Sequence, residues 1–199
     1  MDDLEIETHP FEPFLPSNAK LLMMGSFPPP KNRWKMEFYY PNYQNYQNDM
    51  WRIFGICFFQ DKNYFLDLPN KNFQLELIQN FLKDTGIALF DTAYRISRLK
   101  GNASDKFLHI HTPTDLNRLL QQMPLCQYIM TTGDKATDTL MESMPEGTPK
   151  PVIGQSSQAI FAGRELHLYR MPSSSRAYPL AVEKKAELYC GLFKDVGLL

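Results

Sequence analysis

Apolar and polar residues follow two periods along this chain, and the switches between them mark out its elements. Lys20–Met24 is a short apolar run stopped by Gly25-Ser26 and three prolines, which predicts a buried strand running into a loop that continues through about Asn48. Phe73, Leu77 and Phe81, with Ile78 and Leu82, recur at helical spacing, and Gly86 closes that helix before a strand at Ile87–Phe90. Pro113-Thr114-Asp115 opens a second helix that reaches about Gln122. Tyr128–Thr132 reads as a third strand, and Gly133-Asp134 starts a helix to about Met144. Ala159–Met171, turning at Gly163-Arg164, predicts a hairpin, after which Val182, Ala186, Tyr189 and Phe193 mark a C-terminal helix.

Strands separated by helices imply an α/β fold with a mostly parallel sheet covered on both faces. Ligands bind such sheets outside the carboxyl ends of the strands. That rule singles out the segments after Met24, Phe90, Thr132 and Met171, the four richest in polar and small residues. With 199 residues, 43% of them hydrophobic, the chain suffices for one substantial core, and a single domain over 1–199 is expected.

A net charge of −1 supplies no global basic field of the kind that drives non-specific DNA binding. Local clusters such as Lys31, Arg33 and Lys35, or Arg95, Arg98 and Lys100, are still enough to meet a few phosphates. Cys57, Cys126 and Cys190 are isolated, odd in number and without a C-x-x-C pair, so neither a disulfide framework nor a zinc or iron–sulfur site is expected. His109 and His111 share one face of an extended segment with no further ligand nearby, and both read as structural or surface residues. The acidic Met1–Glu7 lacks an apolar signal core and no stretch approaches a membrane span, so a cytoplasmic protein without membrane contact is expected.

The candidate chemistry lies in the loops. Gly25-Ser26-Phe27-Pro28 permits close backbone approach to a ligand and is stiffened by its prolines. Tyr39-Tyr40 before Pro41 supplies flat faces, and Asn48, in Asn48-Asp49-Met50-Trp51, caps a helix or presents an amide. Asp91 ends a strand, where a carboxylate accepts from a base, orients water or caps a loop.

The order G-S-x-P, Y-Y-x-P, N-x-[FM]-W resembles the first motif region of the uracil-DNA glycosylase superfamily, most of all its hypoxanthine branch and next its mismatch-specific uracil branch. Gly86–Asp91 looks like its G-I-x-L-[WF]-D strand end, followed by Asn102-Ala103-Ser104-Asp105 in place of a G-S-L-D-S-like stretch. Thr131–Ala136 resembles its strand-Gly-helix step, and Met171–Ala177 its L-P-S-[TP]-S-P-A loop. The likeness runs from about Phe11 to Leu192.

It implies a three-layer α/β/α sandwich around a short, mostly parallel sheet, and a monomeric DNA glycosylase without cofactor or metal that takes a deaminated base, hypoxanthine or uracil, out of the duplex. Gly25, Ser26, Phe27, Tyr39, Tyr40, Thr132 and Gly133 would hold the base, with Tyr39 or Tyr40 stacking on it. Ser173, Ser174, Ser175 and Arg176 would meet DNA phosphates. Asn48 and Asp91 would be catalytic, Asn48 orienting water, with Asn45 as its substitute given the extra residues Tyr43–Gln47. Two departures from the pattern are Phe27, where the mismatch branch has its water-orienting Asn, and Met171, where many relatives carry a polar donor. With the near-neutral charge they motivate a second reading, a base- or nucleic-acid-binding module without chemistry, and the weak basic field favours a third, a small-molecule nucleoside or nucleotide hydrolase. If the family reading is right, Gly25–Pro30, Tyr39–Asn48, Asp91, Thr132–Asp134 and Pro172–Arg176 must converge on one concave site.

Overall fold

A computed structural model describes residues 5–42, 48–99 and 105–199. Asn45 and the other residues of Tyr43–Gln47, and Lys100 with Asn102, Ala103 and Ser104, lie outside them. In chain order the elements are β1 (Glu7–Thr8), β2 (Leu21–Gly25), α1 (Met50–Phe59), β3 (Leu66–Asp67), β4 (Asn72–Phe73), α2 (Leu75–Thr85), β5 (Ile87–Asp91), β6 (Ala93–Arg98), β7 (Leu108–Pro113), α3 (Leu116–Gln121), β8 (Tyr128–Thr132), α4 (Asp134–Glu142), β9 (Gln155–Phe161), β10 (Arg164–Met171) and α5 (Val182–Asp195).

Five strands form the central sheet in the order β5-β2-β8-β10-β9. The first four run parallel, and β9 is an antiparallel edge strand. Every residue of β2 and β5 is buried. Because successive side chains of a strand point to opposite faces, full burial requires cover on both sides of the sheet. The result is the three-layer α/β/α arrangement. On one side α1, α2 and α5 meet through Phe54, Phe58, Phe81 and Phe193, with ring centroids 4.8–6.0 Å apart.

Register decides where the site falls. Gly25 pairs with Asp91, Met24 with Thr131 and Met171 with Thr132, so the carboxyl ends of four parallel strands stand in one row.

Most of the expected elements are present, with differences at their ends. Phe73 is not the first residue of a helix: it lies in β4, paired with Leu66, and α2 starts at Leu75. Gly86 closes α2 in the left-handed conformation (φ 71°). Pro113 ends β7 rather than opening α3, whose N-terminus is capped by Asp115 accepting from the Arg118 amide. The hairpin turns at Ala162-Gly163, both with positive φ, one residue earlier than the Gly163-Arg164 expected.

The three-stranded antiparallel sheet β1-β6-β7 has no counterpart in the expected elements. Its β6–β7 register shifts around Arg95, which breaks the simple alternation that marks a strand. The cysteine expectation is also corrected: Cys57 of α1 and Cys190 of α5, 133 residues apart in sequence, are joined as a disulfide with Cα atoms 5.3 Å apart. Spacing along the chain carries no trace of this pair, because only the packing of α1 on α5 brings it together. Cys126 is free and buried, and burial pushes its thiol up to about 11. Among the described residues no helix is long and apolar enough to cross a membrane, and no group of three metal-binding side chains occurs.

Candidate active site

At the row of strand ends lies a cavity of about 740 Å³. Gly25, Ser26, Phe27, Tyr39, Tyr40, Asn48, Asp91, Thr132, Ser173, Ser174, Ser175 and Arg176 all line it, joined by Arg33, Asn42, Asp105 and Lys106. Of the described residues expected to be catalytic, to hold the base or to meet DNA, only Gly133 is not in its wall. Gly133 sits one residue behind, in the N-cap position of α4 with φ 87°, where a Cβ would come 3.3 Å from that of Ser173. Among the described residues, the segments expected to converge do so, Tyr43–Gln47 lying outside them.

Asp91 is the best-fixed polar group of the site. It is 5% exposed, its Oδ1 accepts from the Gly25 amide at 3.1 Å, and its Oδ2 faces His9 Nε2 at 2.9 Å. Its carbonyl accepts from the Thr114 hydroxyl at 2.6 Å. The His9 side chain is fully buried, with Nε2 on Asp91 and Nδ1 between the Phe11 carbonyl at 3.0 Å and the Phe11 amide at 3.2 Å. Gly25 is required because a Cβ there would stand 2.7 Å from Asp91 Oδ1. Sequence reasoning missed His9: a lone histidine before proline carries no local signal, and its role depends on β1 pairing with β6.

The two tyrosines separate. Tyr39 is 2% exposed, donates its hydroxyl to the Glu12 carbonyl at 2.8 Å, and packs among Phe11, Phe38 and Phe90. Its ring is wall and core, which does not suit it to stack on a base. Tyr40 is only partly buried, holds a left-handed backbone (φ 54°), and lines the cavity together with Thr132. Such a conformation costs a non-glycine residue on the order of 1–3 kcal/mol, so the fold spends stability to aim this side chain. Burial, and then the charge of Asp91, push both tyrosines far above their ordinary value. Phe27 also lines the cavity, with 8% exposure, His9 edge-on at 5.3 Å and the Arg98 guanidinium 5.6 Å over its ring.

Asn48 does two things at once. Its Oδ1 accepts from the Met50 amide at 2.9 Å, bonding the first turn of α1, while the residue also lines the cavity. Asp49, the formal N-cap, makes no side-chain cap bond; its buried carboxylate meets Arg176 Nε at 3.1 Å and Lys185 Nζ at 3.4 Å. Lys185, fully buried, also donates to the Ser175 carbonyl at 2.7 Å, and the Tyr189 hydroxyl donates to the Pro172 carbonyl at 2.8 Å. Burial pushes the Lys185 ammonium down and Asp49 opposes it.

The serine loop is therefore strapped to both helices. Within it, Ser173 Oγ accepts from the Ser175 amide and Ser175 Oγ from the Ala177 amide, whereas Ser174 is 1% exposed. Both accepting hydroxyls keep a proton to donate outward; the buried Ser174 fits a cavity wall better than a phosphate. Arg176, expected as a plain phosphate contact, is tied to Asp49 with its side chain 42% exposed.

Asp105 was passed over in sequence, although it closes the Asn102–Asp105 stretch. It lines the cavity within reach of Ser26, in a short turn leading into β7. It reaches the cavity from the connection between β6 and β7, not from a strand of the central sheet. His109 and His111, with rings 4.7 Å apart on the exposed face of β7, stay outside the cavity.

No protein-family model matches the chain, and no curated protein sequence matches it. Among solved structures, the solution structure of a "putative Uracil DNA glycosylase" from Methanosarcina acetivorans matches with a TM-score of 0.61 and 19% identity, covering 97% of this chain and 99% of that one. The two chains share one fold. At that identity the likeness is one of architecture, and the row of strand ends described above is the part of it that this chain's own side chains complete.

Proposed function

We propose that the chain is a monofunctional DNA glycosylase that hydrolyses the N-glycosidic bond of a flipped-out deaminated base, hypoxanthine or uracil. The observation that carries this reading is the cavity at the strand ends, where Gly25, Tyr40 and Asn48, Asp91, Asp105, Thr132 and Ser173, distant from one another in sequence, bring an amide, two carboxyls, an aromatic wall and a serine loop together. A base inside a duplex is out of reach of such groups, so the nucleotide must rotate into the cavity.

In this reading Tyr40 and Phe27 flank the base, and Gly25, Ser26 and Thr132 border its polar edge. Asn48 donates from its amide nitrogen to hold water while its oxygen stays on the Met50 amide. Asp91, fixed by His9 and Gly25, faces the positive charge that develops on the sugar and takes the water's proton. Ser173, Ser175 and Arg176 stand at the mouth for phosphates. Nothing in this scheme calls for a metal or cofactor. The similarity in fold to a protein named for uracil DNA glycosylase activity supports the reaction class.

The test is incision of duplexes containing hypoxanthine, uracil or xanthine, followed by alkaline cleavage of abasic sites. Cleavage of at least one is expected. Binding of DNA with no release of any base would favour the binding module instead, and hydrolysis of free nucleosides alone would favour the small-molecule reading.

A further inference from the structure

Beside the cavity lies a cluster of three charges that the proposed chemistry does not use. The Asp49 carboxylate, its side chain 4% exposed, meets a cation through each oxygen: Arg176 Nε stands 3.1 Å from Oδ1 and Lys185 Nζ 3.4 Å from Oδ2. The two cations have opposite surroundings. Lys185 is fully buried and also donates to the Ser175 carbonyl at 2.7 Å, whereas the Arg176 side chain is 42% exposed in the cavity wall. We propose that Arg176 is a phosphate clamp that exchanges Asp49 for the DNA backbone, and that Lys185 is the positioning residue that permits the exchange by staying on Asp49 as its counter-ion. This rests on the reading of DNA as the partner and adds to it the device that releases the clamp.

A buried carboxylate with one cation holds that cation fast, because its departure leaves an unpaired charge out of water. With two, the exposed cation can leave while the buried one still compensates the charge. The two cations also repel each other across the carboxylate. Burial pushes the Lys185 ammonium down, Asp49 opposes this, and the charge of Arg176 adds to the downward push. Departure of Arg176 removes that repulsion.

The serine loop does not depend on Arg176 for its place. The Asp49 amide donates to the Ser174 carbonyl at 2.8 Å, Asn48 and Ser175 form an antiparallel bridge, and the Tyr189 hydroxyl holds the Pro172 carbonyl. The guanidinium can therefore turn to a phosphate without taking Asn48 or the serines with it. Its fork of N–H donors suits the exchange, since it meets a phosphate as readily as a carboxylate.

The experiment is a salt titration of binding to a duplex carrying a tetrahydrofuran abasic site, which has no base to excise, read as the slope of log affinity against log salt. Arg176→Ala should make the slope shallower by about 0.9, one phosphate contact. Lys185→Met should do the same, because Asp49 then keeps Arg176, and adding Arg176→Ala to it should take nothing further. Asp49→Asn added to Lys185→Met removes the carboxylate that traps the arginine and should restore the wild-type slope, which a folding defect would not do. Asp49→Asn alone should keep the slope and bind about two- to fivefold more tightly, the worth of a partly exposed ion pair. That variant decides the matter where Lys185→Met does not fold. A wild-type slope in Arg176→Ala or in Lys185→Met overturns the inference and leaves the glycosylase reading standing. So does a Lys185→Met slope that Asp49→Asn fails to restore, or weaker binding by Asp49→Asn alone. A wild type that binds no DNA overturns both.

Discussion

At the residue scale the site depends on a few atoms that cannot move. Gly25 leaves room for Asp91 Oδ1, so Gly25→Ala must displace that carboxylate or the strand end carrying it. The variant should lose about 1–3 kcal/mol in denaturant unfolding, as for an overpacked core, and excision should fall by about a hundredfold. Asn48 joins structure to chemistry, and its replacements can separate the two. Asn48→Ala removes an acceptor from the first turn of α1, at about 1 kcal/mol, and should lower turnover by about a hundredfold with little change in DNA affinity. Asn48→Asp keeps the acceptor for the Met50 amide and loses the amide donors, so its stability should stay near wild type while activity is lost. Full activity in Asn48→Ala would remove Asn48 from the chemical step.

At the element scale the serine loop is positioned by helices rather than by its own sequence. Lys185 and Tyr189 of α5 hold its carbonyls, and Asp49 at the start of α1 holds Arg176. The disulfide from α1 to α5 ties together the two helices that provide these anchors. If Arg176 turns to DNA, Arg176→Ala should weaken binding and reduce the slope of log affinity against log salt by about 0.9, one phosphate, while single-turnover chemistry is largely kept. An unchanged slope would mean that Arg176 stays on Asp49 and acts as a strut for the loop. A salt titration of duplex binding decides between them.

At the scale of the molecule, charge and burial set the response to pH. The chain carries a net charge of −1, yet Arg33, Lys106 and Arg176 gather at the cavity, so a local cationic rim replaces a global field. Tyr39 and Tyr189 are held above their ordinary value of 10.0, by burial first and then by Asp91 for Tyr39 and by Tyr40 for Tyr189. Below pH 10 both states keep these protons; above it the unfolded chain releases them and the folded one does not. Stability is therefore complete below pH 10 and should fall above it, by about 1.4 kcal/mol per pH unit for each of the two tyrosines. Tyrosinate absorbance should rise together with loss of helical circular dichroism. A tyrosine titration completed before unfolding would contradict the burial of these hydroxyls.

Periodicity determined the α/β class, the strands that became β2, β5, β8 and β10, and α5, because a five-residue apolar run or a helical stripe is written in consecutive residues. The loops that line the cavity were legible for the same reason: glycine, proline and serine act on the backbone where they stand. What only the tertiary structure decided is whatever depends on partners far apart in sequence. His9 reaches Asp91 across 82 positions, Cys57 reaches Cys190 across 133, and Asp49 meets Lys185 across 136. Tyr39 and Tyr40 look alike along the chain, yet one is core and the other lines the cavity, since a single left-handed residue turns the second side chain away from the first. Asp105 became part of the site only through the β6–β7 wing, whose bulged register hides it from any simple alternation. Local chemistry chose the elements and the loop residues; chain closure over long distances chose which side chains face one another.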